Sequence, residues 1–315
     1  MIHEMKDMYT RISLVRLCRL LGITRQAYYQ YFWQQEAAGI EETLVLQEVI
    51  NIRKDHRAMG GRKLYEKLYP FLLDHQIKMG RDALFDLLAA NGLLVKKRRR
   101  RHLTTWSRHR FNQWPNIIRG LEVIRPNQLW VSDITYWKVN EKHLYISLIT
   151  DAYSHKVVGY HLADTLETME TIKALDMALK GLPDDLPEPL IHHSDRGIQY
   201  CSESYVKLLQ DKAIGISMTE NGDPLENAVA ERMNGILKEE YLKYDIPQNK
   251  EQARLCLDRT IRLYNEHRPH FSIGLLTPEL VHSKNLQAEK LWKNYYNKNI
   301  KIVNTLQDYN QPVNT

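Results

Sequence analysis

A chain of 315 residues with 43% apolar and 26% charged side chains has room for two or three domains and a sizeable core, which excludes a miniprotein and a disordered or low-complexity polypeptide. No apolar run approaches the ~18 residues of a membrane span, the start is too polar for a signal peptide, and Cys18, Cys201 and Cys256 form no CxxC pair; the sequence predicts a cytoplasmic protein with no membrane partner, disulfide framework or cysteine-rich zinc site. The net charge of +6 is uneven: residues 1–120 hold 22 Lys and Arg against 11 Asp and Glu, whereas 121–315 hold 22 against 27, so the whole excess is N-terminal, the footprint of a polyanion-binding segment joined to a domain with another task.

In chain order, Ser13–Trp33 reads as two short helices: Leu14, Leu17, Leu20 and Leu21 share a face, Gly22 breaks it, and Thr24 caps Arg25–Trp33. That outline fits a helix-turn-helix, and equally any helical hairpin packing its leucines. A longer helix over about Glu41–Arg57 follows. Gly60-Gly61 then opens a second hairpin, with helices near Arg62–Leu68 and Arg81–Asn91. The six cations Lys96, Lys97, Arg98, Arg99, Arg100 and Arg101 come next, and placed behind a basic helical module they point to phosphate contacts. Residues 103–125 read as a linker.

Beyond it the periodicity changes to two. Leu129, Val131, Asp133, Thr135 and Trp137 share one face of a strand over Gln128–Val139, Asn140-Glu141-Lys142 turns the chain, and His143–Thr150 and His155–Leu162 complete a three-stranded meander. A helix over Glu167–Lys180, a strand Leu190–Ser194, a helix 202–211, a strand 214–218 and long helices near 225–241 and 249–266 follow. This order predicts an α/β mixed sheet with flanking helices, preceded by an all-α region.

Three acids stand out by context. Asp133 lies inside a strand, where acids are depleted; Asp195 ends a strand before Gly197; Glu231 lies on a helix, with 35 residues between it and Asp195. If the two strands are neighbours and the helix crosses their edge, the carboxylates meet and repel unless divalent cations bind. Hard oxygen ligands select Mg²⁺ or Mn²⁺. On the helix, Asn227, Glu231, Asn234 and Lys238 form one polar stripe beside the apolar Ala230, Met233 and Leu237. His192, His193 and Cys201 fit no zinc spacing; one His is expected in the strand core and the other beside the acidic site.

The motifs VSDITYW (131–137), HSDRGIQY (193–200), ENAVAERMNGILKEE (226–240) and YNEHRPH (264–270) resemble the catalytic core of IS-three family insertion-sequence transposases, OrfB type, which belong with retroviral integrases to the DDE polynucleotidyl transferases. The resemblance covers about residues 40–280. GGRKLYEKL (60–68) with ALFDLLAANGLLV (83–95) is similar to the helix-turn-helix-like segment that precedes that core. It implies a ribonuclease-H-like fold, Asp133, Asp195 and Glu231 as catalytic and metal-binding triad, Mg²⁺ or Mn²⁺ as cofactor, and no zinc. Glu226 stands where many relatives carry Asp and competes for the third position, but it leaves only 30 residues after Asp195.

The implied activity is that of a DNA transposase, which cleaves insertion-sequence ends and transfers the freed strand; a silent DNA-binding regulator and a structure-selective nuclease of the same fold are the alternatives. The implied partners are double-stranded DNA, further copies of the chain in at least a dimer, and an upstream reading-frame product, in a bacterial cytoplasm at the nucleoid. Candidate DNA contacts are Lys238, Asn227, Asn234, Arg196, Arg62, Lys63, Arg268 and the cations 96–101, with His270 able to contact DNA or cap a helix. The expected domains are a helix-turn-helix-like segment 1–40, a second helical DNA-binding domain 41–102, the linker 103–125, the catalytic domain 126–280 and a loosely packed tail 281–315.

Overall fold

The computed structural model describes residues 12–95, 113–220, 227–287 and Leu291, and divides the chain into two compact units. The first comprises residues up to 54 and 64–94, and is helical where described. Helix α1 (Leu14–Leu20) buries Leu17 and Cys18 and ends at Gly22, whose φ of 69° lets the Ile23 N–H turn back to the Cys18 carbonyl. Thr24 Oγ1 accepts from the Ala27 N–H at 3.0 Å, the expected cap of α2.

Helix α2 runs without interruption over Arg25–Asp55, where the sequence suggested two helices separated near residues 34–40. That stretch contains no proline, and its single Gly39 costs a helix only ~1 kcal/mol, too little to end it. Helix α3 (Gly61–Asp74) continues past Leu68 and through Pro70, because Leu64, Leu68 and Leu72 recur every four residues on a buried face. Helix α4 (Arg81–Ala90) buries Leu84, Leu87 and Leu88. The basic run 96–101 lies outside the described residues.

The second unit comprises residues 55–63 and those from 95 on. Strands β1 (Leu129–Val139), β2 (Lys142–Asp151) and β3 (Val157–Ala163) form the expected antiparallel meander. The register Val139↔Lys142 leaves a two-residue loop, with Asn140 at a φ of 52°, a conformation asparagine tolerates. Strands β4 (Ile191–Ser194) and β5 (Gly215–Met218) are parallel to β1, giving the order β3-β2-β1-β4-β5 with β1 central. This is the mixed five-stranded sheet expected for a ribonuclease-H-like core.

Both faces of the sheet are covered. Helix α5 (Thr168–Lys180), the short α6 (Ile198–Cys201) and α7 (Glu203–Asp211) bury Ala174, Leu175, Tyr200 and Tyr205 against Trp130, Ile149 and Ile216. On the other face α8 (Ala228–Ile236) and α9 (Lys250–Arg262) pack Met233, Leu257 and Ile261 against Trp137, Leu144, Ile146 and Leu148. Helix α8 does not run unbroken to 241 as expected: residues 237–241 form a π-helical turn and 242–244 a 3₁₀ turn. Likewise α9 gives way to a π turn over 263–267.

Two boundaries differ from the sequence reading. The second half of the expected linker packs on the core: Trp114 is buried, Ile117 N–H donates to Ser217 Oγ at 3.2 Å, and Met218 N–H donates to the Pro115 carbonyl at 3.4 Å. Apolar side chains and the open edge of β5 draw it in. The expected tail begins inside helix α10 (Pro278–Lys284), where Val281 is fully buried and Tyr153 Oη donates to the Leu286 carbonyl at 2.9 Å.

Gly159 marks the tightest helix-to-sheet approach: a Cβ there would collide with the Ala174 carbonyl oxygen and lie 2.9 Å from Ala178 Cβ. Helix backbone cannot yield as a flexible side chain does. Gly159→Ala is therefore expected to cost at least the 1–3 kcal/mol typical of overpacking, read as a lower urea midpoint at unchanged m-value. A midpoint equal to wild type would show that α5 shifts freely.

Candidate active site

Strand register alone brings the first two acids together. The β1–β4 pairing runs Leu129↔Ile191 to Val131↔His193, and the same register carried two residues further sets Asp133 opposite Asp195, the residue after β4. Parallel neighbours lie about 4.8 Å apart, so the two carboxylates share one edge. Asp195 Oδ1 accepts from Gly197 N–H at 3.0 Å, closing the turn that Gly197 makes possible.

Helix α8 lies along β1 by three successive hydrogen bonds. Asn227 Nδ2 donates to the Ser132 carbonyl at 3.0 Å, Asn234 Nδ2 to Asp133 Oδ2 at 2.6 Å, and Lys238 Nζ to Thr135 Oγ1 at 3.2 Å. The expected polar stripe is thus the face that α8 turns to the strand. Glu231, in the first turn of α8, is the member of that stripe left exposed. The third alternative, Glu226, lies outside the described residues.

The charge of Asp195 acts on Asp133, and that of Glu231 acts on it more weakly. Burial pushes the Asp133 carboxyl up to about 7; the charge on Asp195 adds to this, the hydrogen bonds from Ile134 N–H and Asn234 oppose it, and Glu231 contributes a further upward push. Burial also raises Glu231 above its ordinary value. Among the described residues no group of three or more His, Cys, Asp or Glu side chains is drawn into a ready metal cluster. Like charges repel, and Asn234 holds one oxygen of Asp133.

Beneath the edge lies a network that the sequence did not single out. Ser132 Oγ and His192 Nε2 are 2.6 Å apart, and Tyr205 Oη is 3.0 Å from the same nitrogen. His193 Nδ1 lies 2.9 Å from Ser217 Oγ. Both histidines are buried, where one was expected in the strand core; burial, with the charge of His193 second, pushes His192 down to about 3 and keeps it neutral. The signal was present, since a polar pair in the middle of a short apolar strand needs buried partners. Asp151 is a further buried acid, but Asn127 N–H, Ser154 N–H and Ser154 Oγ satisfy it within 2.7 Å, which marks it as structural.

The candidate DNA contacts divide sharply. Arg268 is 2% exposed and donates in bidentate fashion to Glu240 at 2.8 and 2.9 Å, so its guanidinium serves the interior. His270 is buried and caps the turn that follows it, accepting from Ser272 N–H. Lys63 lies 3.7 Å from Glu240 Oε1 with little exposure. Asn227 and Asn234 are buried in the contacts with β1. Lys238 is half-buried over the Tyr136 ring at 4.1 Å, beside Asp133. Arg196 is partly exposed next to Asp195, and Arg62 is exposed.

The chain matches two family models described as integrase core domain, over residues 124–224 and 212–278. An insertion element IS600 protein of Shigella sonnei, described as an uncharacterized 31 kDa protein, is 31% identical over 272 residues, covering 85% of this chain and 98% of that one. The transposase InsF for insertion sequence IS3A of Escherichia coli is 27% identical over 286 residues, covering 87% and 95%. The HTLV-2 integrase catalytic core domain, solved in complex with magnesium, aligns at a TM-score of 0.41 and 21% identity over 50% of this chain and 97% of that one. With both integrase core models matched in succession and relatives of this kind matching almost end to end, the chain belongs to the IS-three family of insertion-sequence transposases, built on an integrase core.

Proposed function

We propose that this protein is a DNA transposase that cleaves one strand at each end of its element and joins the freed 3′-hydroxyl to another phosphodiester, with Asp133, Asp195 and Glu231 as the catalytic acids. The observation that carries the reading is the half-buried Asp133 on β1, bonded by Asn234 from the same helix that bears Glu231, with desolvation and then the charge of Asp195 pushing its carboxyl up to about 7. Such a site costs stability and makes sense where a cation completes it. The donor set is carboxylate oxygen only, which fits Mg²⁺ or Mn²⁺ and not zinc. When bound, such ions would activate the attacking hydroxyl and stabilise the leaving oxygen.

The chain's own residues do the rest. Asn234 fixes the Asp133 carboxylate in one orientation, Asn227 latches the start of α8 to β1, and the Ser132–His192–Tyr205 network holds β1 beside β4. Lys238 and Arg196 supply positive charge at the rim for a phosphodiester, and the N-terminal excess of Lys and Arg, with the run 96–101, supplies the wider grip on duplex DNA. Synapsis of two ends calls for at least two copies.

The test is a joining assay with purified full-length protein, Mn²⁺ or Mg²⁺, and duplexes carrying the element's ends. Strand cleavage followed by joining supports the reading. Cutting without joining would assign a structure-selective nuclease, and end binding with neither would assign a regulator.

A further inference from the structure

The nine residues 55–63 join two N-terminal helices in sequence, yet they belong with the catalytic unit. Most of their side-chain contacts fall on the π turn that follows α8 and on the 3₁₀ turn after it. His56 Nδ1 lies 2.9 Å from Tyr241 Oη, with the rings edge to face. Arg57 Nη1 donates to the Tyr244 carbonyl at 2.9 Å. Lys63 Nζ lies 3.7 Å from Glu240 Oε1 and 5.9 Å above the Phe271 ring. Asp55 accepts from Arg259 Nη2 at 2.6 Å, and Met59 is almost fully buried.

Glu240 and Tyr241 lie on the helical extension that begins with Glu231 and Asn234. Arg268 grips Glu240 from the opposite side, and Tyr264, beneath Arg268, donates to Met233 Sδ at 3.1 Å. A π turn is a weak point in a helix, because its wider ring leaves poorer backbone hydrogen bonding. The contacts from residues 55–63 to Glu240 and Tyr241 fall on that turn itself and brace the distal end of α8, whose proximal end Asn227 and Asn234 fix to β1.

We infer that residues 55–63 are a positioning element of the catalytic unit, in which Lys63 and His56 hold the distal end of the helix that bears Glu231. The inference rests on the metal-site reading above. It also reassigns Lys63, which the sequence suggested as a DNA contact. Burial pushes the Lys63 ammonium down to about 8, with Arg268 and Arg232 adding to this and Glu240 opposing it. An ionised group so disfavoured does not serve stability: its folded-state value lies below the ordinary one, so the cost is present at neutral pH and is relieved as pH rises beyond about 8. A buried cation kept at such a cost is expected to serve specificity of arrangement.

The test compares full-length Lys63→Met, Lys63→Arg, His56→Phe and Asp133→Ala. Lys63→Met and His56→Phe are expected to melt within a few degrees of wild type and to bind end DNA normally in EDTA. Their Mn²⁺ affinity, read by electron paramagnetic resonance without DNA, should fall about tenfold, as for groups that orient metal ligands. End cleavage should lose kcat at unchanged KM, and Lys63→Arg should restore both. Weakened DNA binding in EDTA with intact Mn²⁺ affinity would overturn the inference and return Lys63 to DNA contact; unchanged behaviour in every assay would make the segment a spacer. If Asp133→Ala also kept its Mn²⁺ affinity, the metal-site reading would be what had failed.

Discussion

Asp133→Asn is expected to abolish cleavage and joining, a loss of roughly three orders of magnitude or more, because it removes a charge that metal-assisted phosphodiester chemistry draws several kcal/mol from. The same change is expected to stabilise the metal-free protein. Desolvation and then the charge of Asp195 push the Asp133 carboxyl up from an ordinary 3.8 to about 7, so its ionised form is disfavoured by folding. That penalty is absent below about pH 4, grows as pH rises, and is complete above about 7. Chelated wild type should therefore lose stability between pH 4 and 7, a slope the variant lacks, and at pH 8 the variant should melt higher. Added Mn²⁺ should raise the melting temperature of wild type and leave that of the variant unchanged. A variant that melted lower than wild type at pH 8 would show that the carboxylate is a stabilising group, and the case for a strained acidic site would collapse.

Arg268→Met is expected to act on folding instead. Burial pulls the guanidinium down, but the hydrogen bonds and charge of Glu240 outweigh it and hold it above its ordinary value. Removing the arginine leaves Glu240, itself only 17% exposed, without its bidentate partner. Breaking a buried pair from one side costs about 3–5 kcal/mol, which in a unit of this size lowers the melting temperature by roughly 6–20 °C. The double variant Arg268→Met with Glu240→Leu should recover a large part of that loss, because no buried charge is then stranded. A DNA contact would behave otherwise: the single variant would melt normally and bind ends weakly, and the second change would not rescue it.

Much of the catalytic unit was legible in the sequence because its signals are local. Alternation at Leu129, Val131 and Trp137, the turn at Asn140 and Gly197, and the four-residue spacing on α8 each follow from backbone periods that a short window reveals. Asp133 was legible as an acid inside a strand, where acids are depleted, and Asp195 as an acid at a strand end before Gly197, whereas Glu231 on a charged helix was singled out by its spacing and motif. The helical N-terminal unit was visible for the same reason, although α2 overran its expected break, since helix ends depend on weak differences in propensity that a long cooperative helix ignores.

Sequence by itself determined the order of strands and helices, the residues carrying the acids, and the charge division between the two halves. What it could not determine was which polar groups face inward, because that depends on partners distant in sequence. Asn227 and Asn234 were read as a DNA-facing stripe, and only the fold shows that β1 takes their hydrogen bonds, with Ser132 and Asp133 as acceptors. Arg268 and Lys63 read as surface cations until Glu240 is brought to both. The assignment of 55–63 to the catalytic unit likewise rests on His56 meeting Tyr241, 185 residues away. Burial of a charge is set by tertiary neighbours, and no local period encodes it.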